Sequence, residues 1–281
     1  MAQSSQALRT RIKSVNSTRK ITKAMEMIAN AKLFKQRQRM EANRDYAQKL
    51  QDTVNEIVAN NPDADSRFIR QVQGDRSMYI VYCSDLGLCG AYNQNVLKKA
   101  REVIKKEEPV YLVGTSLFRS MNEEGFHLIN KEPISSDRLV FTELKEVIQE
   151  ATQRFVDGNV DSVKIIYTRF VNTMSFRAEM DVLLPCEFEL TEKEGEHVET
   201  LFEPDPESIL EGLIPMMINE VAYANWMEST TAEQGSRRVA MKTATDNADD
   251  LSADLMLEYN KLRQAGITQE ITEIVGGSAA V

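Results

Sequence analysis

Residues 78–95, with the sequence MYIVYCSDLGLCGAYNQN, contain an apolar run, a turn with two glycines and the start of a helix-like segment. The apolar run Met78–Tyr82 is typical of a buried strand. A strand that leads through a glycine-containing turn into a helix favours an α/β domain, and it is also a common place to bind a phosphate group. The segment therefore raises one question about the fold and another about nucleotide binding.

The residues that follow predict the rest of an α/β domain. Further apolar runs favour strands and amphipathic segments favour helices, while Ala178–Leu184 can add one more strand. The predicted strands span 78–83, 110–114 and 163–167, and the predicted helices span 93–106, 116–124 and 139–157. Glu187–Glu203 predicts an acidic loop. This order of elements predicts a small doubly wound, Rossmann-like sheet of parallel strands.

The turn does not match the common nucleotide-binding sequences. A phosphate loop needs a lysine and a Ser or Thr directly after its last glycine, but the first lysine after Gly90 is Lys98. A dinucleotide site needs Gly-x-Gly-x-x-Gly, whereas Gly87 and Gly90 supply only Gly-x-x-Gly. We interpret the turn as structural, with Ser84 and Asp85 able to cap a helix. If the turn does bind a nucleotide, the alternative is that the chain is a nucleotide-dependent α/β enzyme with a helical docking arm.

The cysteines and histidines predict neither disulfides nor a metal site. Cys83, Cys89 and Cys186 are too few for a disulfide framework and favour a reducing compartment. His127 and His197 have no metal-ligand spacing to each other or to the cysteines. We therefore expect no cofactor and no metal. The start of the chain also lacks the apolar core of a secretion signal.

Both ends of the chain are predicted to be long helices. No proline precedes Pro62 and none follows Pro215. Apolar residues recur at steps of three and four in both ends, which is typical of a coiled-coil seam. The N-terminal stripe comprises Leu8, Ile12, Val15, Met25, Ile28, Leu33, Met40, Ala47, Leu50, Val54 and Ile57. The C-terminal stripe comprises Leu210, Leu213, Met217, Val221, Ala224, Met241, Ala244, Ala248, Leu251, Leu255 and Leu262.

A narrow apolar stripe on a long helix must be buried against a partner. Each end would be about 90 Å long as one helix, at roughly 1.5 Å per residue, and the other end is the nearest candidate partner. We therefore predict an antiparallel coiled coil of helices 1–61 and 207–281, with a central α/β domain at 62–206. Two ordinary helical bundles broken by loops are the alternative. The seam is expected to lapse near Thr18 and Arg19.

The charges are distributed unevenly along the chain. The whole chain has a net charge of −9, but residues 1–61 contain 12 Lys/Arg and 5 Asp/Glu, a net of +7. Such a basic arm can bind nucleic acid, an anionic membrane surface or an acidic protein partner. Phe34 is the only aromatic residue among the first 40, and no membrane-insertion face opposes the cations. We expect acidic protein partners, no nucleic acid and no membrane insertion.

Three segments resemble the gamma subunit of bacterial F-type, proton-translocating ATP synthases. They are RKITKAMEMIANAKL (19–33), CSDLGLCGAYN (83–93) and the ending that runs from RRVAMKTATDNADDL to YNKLRQAGITQEITEIVGGSAA. The resemblance spans essentially the whole chain. It implies a non-catalytic rotor shaft that couples ion flow through a membrane c-ring to ATP synthesis or hydrolysis on a hexamer of alpha and beta subunits. It also implies an epsilon partner and a peripheral position on the cytoplasmic face of the bacterial cell membrane.

The resemblance also implies which residues contact partners. Met25 matches a position that faces the catalytic subunits, although packing in the seam is the alternative for this residue. Arg237 matches an arginine that faces an acidic loop of beta. For each of the implied contacts other than Met25, a solvated residue on a helix face is the alternative. The full set of implied contacts with alpha and beta is Lys20, Lys23, Met25, Arg237, Lys242, Arg263 and Gln264, and the implied foot contact with epsilon or the ring is Glu203.

Two departures from the family pattern affect these expectations. Arg238 stands where family members often have methionine. This arginine adds a positive charge, and the sequence does not show which group it pairs with. Cys186 is the only cysteine between Val171 and Leu213, where the thiol-regulated chloroplast form carries a cysteine pair. We therefore expect no redox switch. A static coiled-coil scaffold is a further alternative to the rotor.

Overall fold

The computed structural model describes residues 2–61, 66–69, 74–137, 139–186, 188 and 205–278. Apart from residue 188, the predicted acidic loop lies outside these ranges. The described residues form five helices and five strands. The helices are α1 (Ala2–Asn60), α2 (Tyr92–Val103), α3 (Phe118–Glu123), α4 (Phe141–Val156) and α5 (Pro206–Ser278). The strands are β1 (Ser77–Tyr82), β2 (Pro109–Val113), β3 (His127–Leu128), β4 (Ser162–Asn172) and β5 (Ser175–Leu184).

The strands form one sheet in the order β3-β2-β1-β4-β5. Strands β1 to β4 run parallel, and β5 runs antiparallel to β4. Every residue of β1 is buried, as expected for a strand covered on both faces. The predicted strands and helices of this region are confirmed in type and position. The predicted strand Ala178–Leu184 is confirmed as part of β5, whereas its antiparallel pairing with β4 and the short edge strand β3 were not predicted.

Helices cover both faces of the sheet. On one face, Ile80 belongs to a core that includes Val54 of α1, Ile148 of α4 and Ile214 of α5. On the other face, Val81 belongs to a core that includes residues of α2 and α3. Because alternate residues of one strand point to opposite faces, the continuous apolar run of β1 supplies both cores. The predicted doubly wound, Rossmann-like architecture is confirmed.

The molecule divides into two compact units. Unit 1 comprises Met1–Asn30 and Arg237–Val281, and unit 2 comprises Ala31–Ser236, which includes the sheet. The helices α1 and α5 each contribute residues to both units. The predicted domain boundaries at 61/62 and 206/207 separate the helical ends from the α/β region, whereas the two units are defined by compactness. The predicted boundaries therefore stay a prediction. Within the described ranges, no helix combines the length and apolar character that a membrane span requires.

In unit 1, α1 and α5 pair as an antiparallel coiled coil. Arg19 forms an ion pair with Asp249 (Nη1–Oδ1 3.0 Å), and the Thr245 hydroxyl donates to the Thr22 hydroxyl at 2.8 Å. The seam positions are buried or half-buried and alternate by three and four residues. They are Ile12, Val15, Arg19, Thr22, Glu26 and Ala29 on α1, and Arg238, Met241, Thr245, Ala248, Ser252, Leu255, Tyr259 and Leu262 on α5.

Two residues of the predicted stripes are exposed instead of packed between the helices. The side chain of Ile28 is 60% exposed and that of Leu251 is 41% exposed. The alternation passes instead through Glu26 and Ser252, because spacing rather than residue type decides which face of a helix a residue occupies. The predicted lapse near Arg19 is therefore a stretch of polar seam residues, and the pairing of the helices continues through it.

Candidate partner-contact surfaces

One carboxylate holds the turn that follows β1. Asp85 accepts hydrogen bonds from the backbone N–H groups of Thr115 (3.2 Å), Ser136 (2.9 Å) and Asp137 (2.8 Å), and from the Ser135 hydroxyl (2.7 Å). Burial acts to raise the pKa of Asp85, but these hydrogen bonds stabilise the charged form and the net shift of the pKa is downward. The turn is thereby joined to two loops that are distant in sequence.

Asn93 holds the same turn from its helical side. Its Oδ1 accepts a hydrogen bond from the Ser84 backbone N–H (3.1 Å), and its Nδ2 donates to the Ser116 hydroxyl (3.0 Å). The expectation that Ser84 and Asp85 cap a helix is wrong for α2. Its N-cap residue is Ala91, without a side-chain cap bond, because the polar atoms of the turn are engaged elsewhere.

In unit 2 the turn and α2 pack against α5. The Tyr92 and Ser229 hydroxyl oxygens lie 2.8 Å apart, and the Ser236 hydroxyl donates to the Cys89 carbonyl at 2.6 Å. Beside these contacts, a Cβ on Gly235 would lie 2.7 Å from two carbons of the ring of Phe176. These contacts support the structural interpretation of the turn, since its polar atoms join the sheet to α5.

The three cysteines, Cys83, Cys89 and Cys186, are free and buried. Burial raises the pKa of Cys83 and of Cys186 to about 12. The thiolate is the reactive form of cysteine, so these two side chains are poor nucleophiles at neutral pH.

The predicted contact residues on α1 differ in exposure. Lys20 and Lys23 are exposed, whereas Met25 is half-buried. Lys23 forms an ion pair with Glu26 (Nζ–Oε2 3.0 Å), which is itself a seam residue. The intermediate exposure of Met25 fits both of its interpretations, packing in the seam and contact with a partner.

The predicted contact residues on α5 are mostly exposed. Lys242 is exposed and lies 3.8 Å from Asp246 (Nζ–Oδ2), and Arg263 and Gln264 are exposed. Arg237 is only 9% exposed, so little of its side chain is available to a partner.

Apart from the buried Arg237, the predicted contacts with alpha and beta form two groups along the coiled coil. One group lies near the Thr22–Thr245 contact, and the other lies farther along α5, roughly 27 Å from Thr245 at 1.5 Å per residue. The first group is Lys20, Lys23, Met25 and Lys242, and the second is Arg263 with Gln264. Glu203 lies outside the described residues.

Sequence reasoning missed a set of exposed apolar residues. Ile21 and Ile28 on α1 are both about 60% exposed, and Leu86 and Leu88 are exposed in the turn after β1. Past the last seam position of α5, exposed apolar residues occur at the helical spacing i, i+4, i+7 and i+8. These are Ile267, Ile271, Ile274 and Val275. That spacing was visible in the sequence, and a contiguous exposed apolar face indicates a surface for a partner.

Part of the basic arm is neutralised within the chain. In unit 1, Arg19 pairs with Asp249, and in unit 2, Lys32 pairs with Asp137 at 3.1 Å. The positive charge available to a partner is therefore smaller than the net charge of residues 1–61 suggests.

Comparison with known proteins gives consistent matches over the whole chain. The ATP synthase family model matches residues 4–281. The ATP synthase gamma chain of Alkaliphilus metalliredigens is 38% identical over 286 residues, which cover 98% of this chain and 98% of the relative. The sodium ion specific ATP synthase gamma chain of Acetobacterium woodii is 37% identical over 301 residues, with 100% of both chains covered.

Solved structures show the same fold at lower identity. A chain of the Euglena gracilis mitochondrial ATP synthase matches with a TM-score of 0.67 at 17% identity, over 100% of this chain and 95% of that chain. A chain of the Tetrahymena thermophila mitochondrial ATP synthase, from a structure of its central stalk and c-ring, matches with a TM-score of 0.57 at 20% identity, over 80% of this chain and 99% of that chain. At these identities the likeness concerns the fold alone.

Proposed function

The chain belongs to the ATP synthase gamma-chain family, and from this premise we propose that it is the central rotor shaft of an F-type ATP synthase. The observation that carries the proposal is the antiparallel coiled coil of unit 1, which exposes apolar side chains such as Ile21 and Ile28. Two packed helices resist bending better than one, and the exposed side chains offer surface to partners. The partners are the alpha and beta subunits, the epsilon subunit and the membrane c-ring.

Such a complex needs a mechanical element between its ring and its catalytic sites. One charge that crosses the membrane supplies about 2.3 kcal/mol per 100 mV. Several translocations must therefore be combined before one ATP is released, and the shaft must transmit torque without buckling. An asymmetric shaft surface that fits one conformation of a catalytic subunit better than another shifts the populations of those conformations.

In this proposal the chain itself is not catalytic, and the catalytic sites lie on the beta subunits. The turn after β1 supports this assignment, since Asp85 and Asn93 are already engaged in hydrogen bonds within the chain. The complex lies on the cytoplasmic face of the bacterial cell membrane, with this chain as a peripheral subunit. The proposed contacts with alpha and beta are Lys20, Lys23, Met25, Arg237, Lys242, Arg263 and Gln264, and the proposed foot contact is Glu203.

A reversible cross-link tests whether the shaft must turn. The chain with Lys242→Cys is assembled with alpha subunits and with beta subunits that carry one introduced cysteine, and ATP hydrolysis is measured before oxidation, after oxidation and after reduction. Lys242 is suitable because it is exposed, whereas the native cysteines are buried. We expect turnover to stop on oxidation and to return on reduction. The unsubstituted chain, treated identically, is the control, and full turnover with a verified cross-link would favour a static scaffold.

A further inference from the structure

A groove of about 260 Å³ lies in unit 2 between α1, α4 and α5. Its walls include Gln36 and Arg39 of α1, Phe141 at the start of α4, and Tyr223 and Trp226 of α5. The volume is close to the lower end of the range for small-molecule sites and suits a ligand of one or two rings.

Three aromatic rings give the groove a defined shape. Phe141 meets Tyr223 edge to face at 5.1 Å between ring centroids, and Tyr223 stacks on Trp226 at 5.5 Å. The Trp226 Nε1–H donates to the Ser136 hydroxyl at 3.2 Å, which fixes the indole. A planar aromatic ligand can add one more ring to such a stack.

Two polar side chains of α1 give the groove chemical selectivity. The Gln36 Oε1 is buried and has no hydrogen-bond partner among the described residues, so a turn of this side chain toward the groove would let a ligand donor satisfy it. Arg39, one helical turn away, is an exposed cation that can pair with a carboxylate. Residues three apart on a helix have Cβ atoms about 5–6 Å apart, which is comparable to the span of a single substituted ring.

We propose that this groove binds a small aromatic carboxylate that also carries an O–H or N–H donor. The aromatic part stacks with Tyr223 and Trp226, the carboxylate pairs with Arg39, and the donor bonds to the Gln36 Oε1. This site is independent of the contacts assigned to the rotor, so its test does not depend on the proposed function.

Trp226 provides the readout, because it is the only tryptophan in the chain. The purified full chain is titrated with 4-hydroxybenzoate while tryptophan fluorescence is recorded. We expect a saturable change with a dissociation constant on the order of 0.1–1 mM, as for other ligands of about ten non-hydrogen atoms. Benzoate lacks the donor and 4-methylphenol lacks the carboxylate, so each should bind about threefold more weakly or worse.

Variants assign the two polar contacts. Arg39→Gln should weaken 4-hydroxybenzoate about fivefold and leave 4-methylphenol unchanged, whereas Gln36→Leu should weaken 4-hydroxybenzoate and leave benzoate unchanged. Arg37→Gln is the matched control, because Arg37 is an exposed residue of the same helix that pairs with Glu41. A linear, unsaturated fluorescence change, equal affinity for the three probes, or an Arg39→Gln variant with unaltered binding would overturn the proposal. Circular dichroism of each variant confirms that the helices are retained.

Discussion

The Thr245 hydroxyl donates to the Thr22 hydroxyl at 2.8 Å, in the seam between α1 and α5 of unit 1. Thr245 is buried and Thr22 is half-buried, so the bond is largely shielded from water. Polar contacts at seam positions commonly specify which residues of two helices lie side by side. The bond is thus a candidate determinant of the register of the coiled coil.

The first prediction concerns this hydrogen bond. In a double-mutant cycle of Thr22→Val and Thr245→Val, the coupling in the free energy of unfolding should be about 0.5–1.5 kcal/mol, because only the doubly native pair can form the bond. Urea unfolding monitored by circular dichroism measures it. Thr10→Val is the control, since Thr10 is an exposed α1 residue whose hydroxyl bonds only to Gln6 in its own helix. A coupling of zero would mean that this hydrogen bond does not help to set the register of the coiled coil.

The second prediction compares two glycines of α5. Gly235→Ala should destabilise the chain by about 1–3 kcal/mol, because the new methyl group would overlap the ring of Phe176. Gly212→Ala should stabilise it by up to about 1 kcal/mol, because no atom lies within 4 Å of the added Cβ and alanine favours the helix. Unfolding midpoints of the two variants measure the difference. Two shifts of the same sign would contradict the close contact with Phe176.

The third prediction concerns Asp85. Asp85→Asn should lower the free energy of unfolding by about 2–4 kcal/mol, since one acceptor oxygen becomes a donor that faces other donors. Asp52→Asn, at an exposed position with a single bond to Gln48, should change it by less than about 0.5 kcal/mol. The pKa of Asp85 is lowered in the folded chain, so its stabilisation is present above its unfolded pKa of about 3.9 and is lost as the pH falls through the folded pKa. The difference between Asp85→Asn and the native chain should therefore shrink in acid.

The fourth prediction has the opposite dependence on pH. Burial raises the pKa of Glu228, whose carboxylate accepts a hydrogen bond from the Phe170 backbone N–H at 3.1 Å. A raised carboxyl pKa means that the folded state loses stability as the pH rises from the unfolded value of about 4.3 through the folded value. Glu228→Gln keeps an acceptor oxygen and removes the charge. Its stability relative to the native chain should increase across that pH window, whereas exposed Glu258→Gln should show no such trend.

The fifth prediction separates partner contact from internal packing. Arg263→Gln should leave the unfolding free energy within about 0.5 kcal/mol of the native value, because Arg263 is exposed. If Arg263 contacts a beta subunit, the variant should assemble with alpha and beta about 1.5- to 5-fold more weakly, the range expected for one exposed charge pair. Lys261→Gln, an equal loss of charge nearby, is the control. Equal effects of both substitutions would indicate a general charge effect rather than a specific contact.

The sequence predicted the elements better than it predicted their contacts. The apolar run of β1 and the scarcity of proline in both ends were enough for the sheet and the coiled coil, although Pro215 lies inside α5. The polar seam residues were missed because Thr22 and Glu26 carry no apolar signal, although their spacing continues the pattern from Ala29. Conversely, Ile28 was assigned to the seam on its apolar character, and it is exposed.

In the candidate site, too, the exposure of residues on helices was predictable, whereas contacts between distant segments were not. The exposure of Lys20 and Arg263 follows from helical spacing, which can be read from one sequence. The partners of Asp85 could not be read in this way, since Thr115 and Ser136 are about 30 and 50 residues away and meet it only through the sheet topology. The burial of Arg237 likewise depends on the packing of neighbouring elements.

The contact between Gly235 and Phe176 has a mechanical consequence. The ring occupies the space that a Cβ would need, so within unit 2 this helix cannot roll about its own axis without driving a neighbouring side chain into the ring. The contact thereby fixes the rotation of α5 about its own axis relative to the β4–β5 hairpin. A helix held only by smooth apolar packing can rotate about its axis, and here the space left by one missing methyl group admits the ring that prevents this rotation.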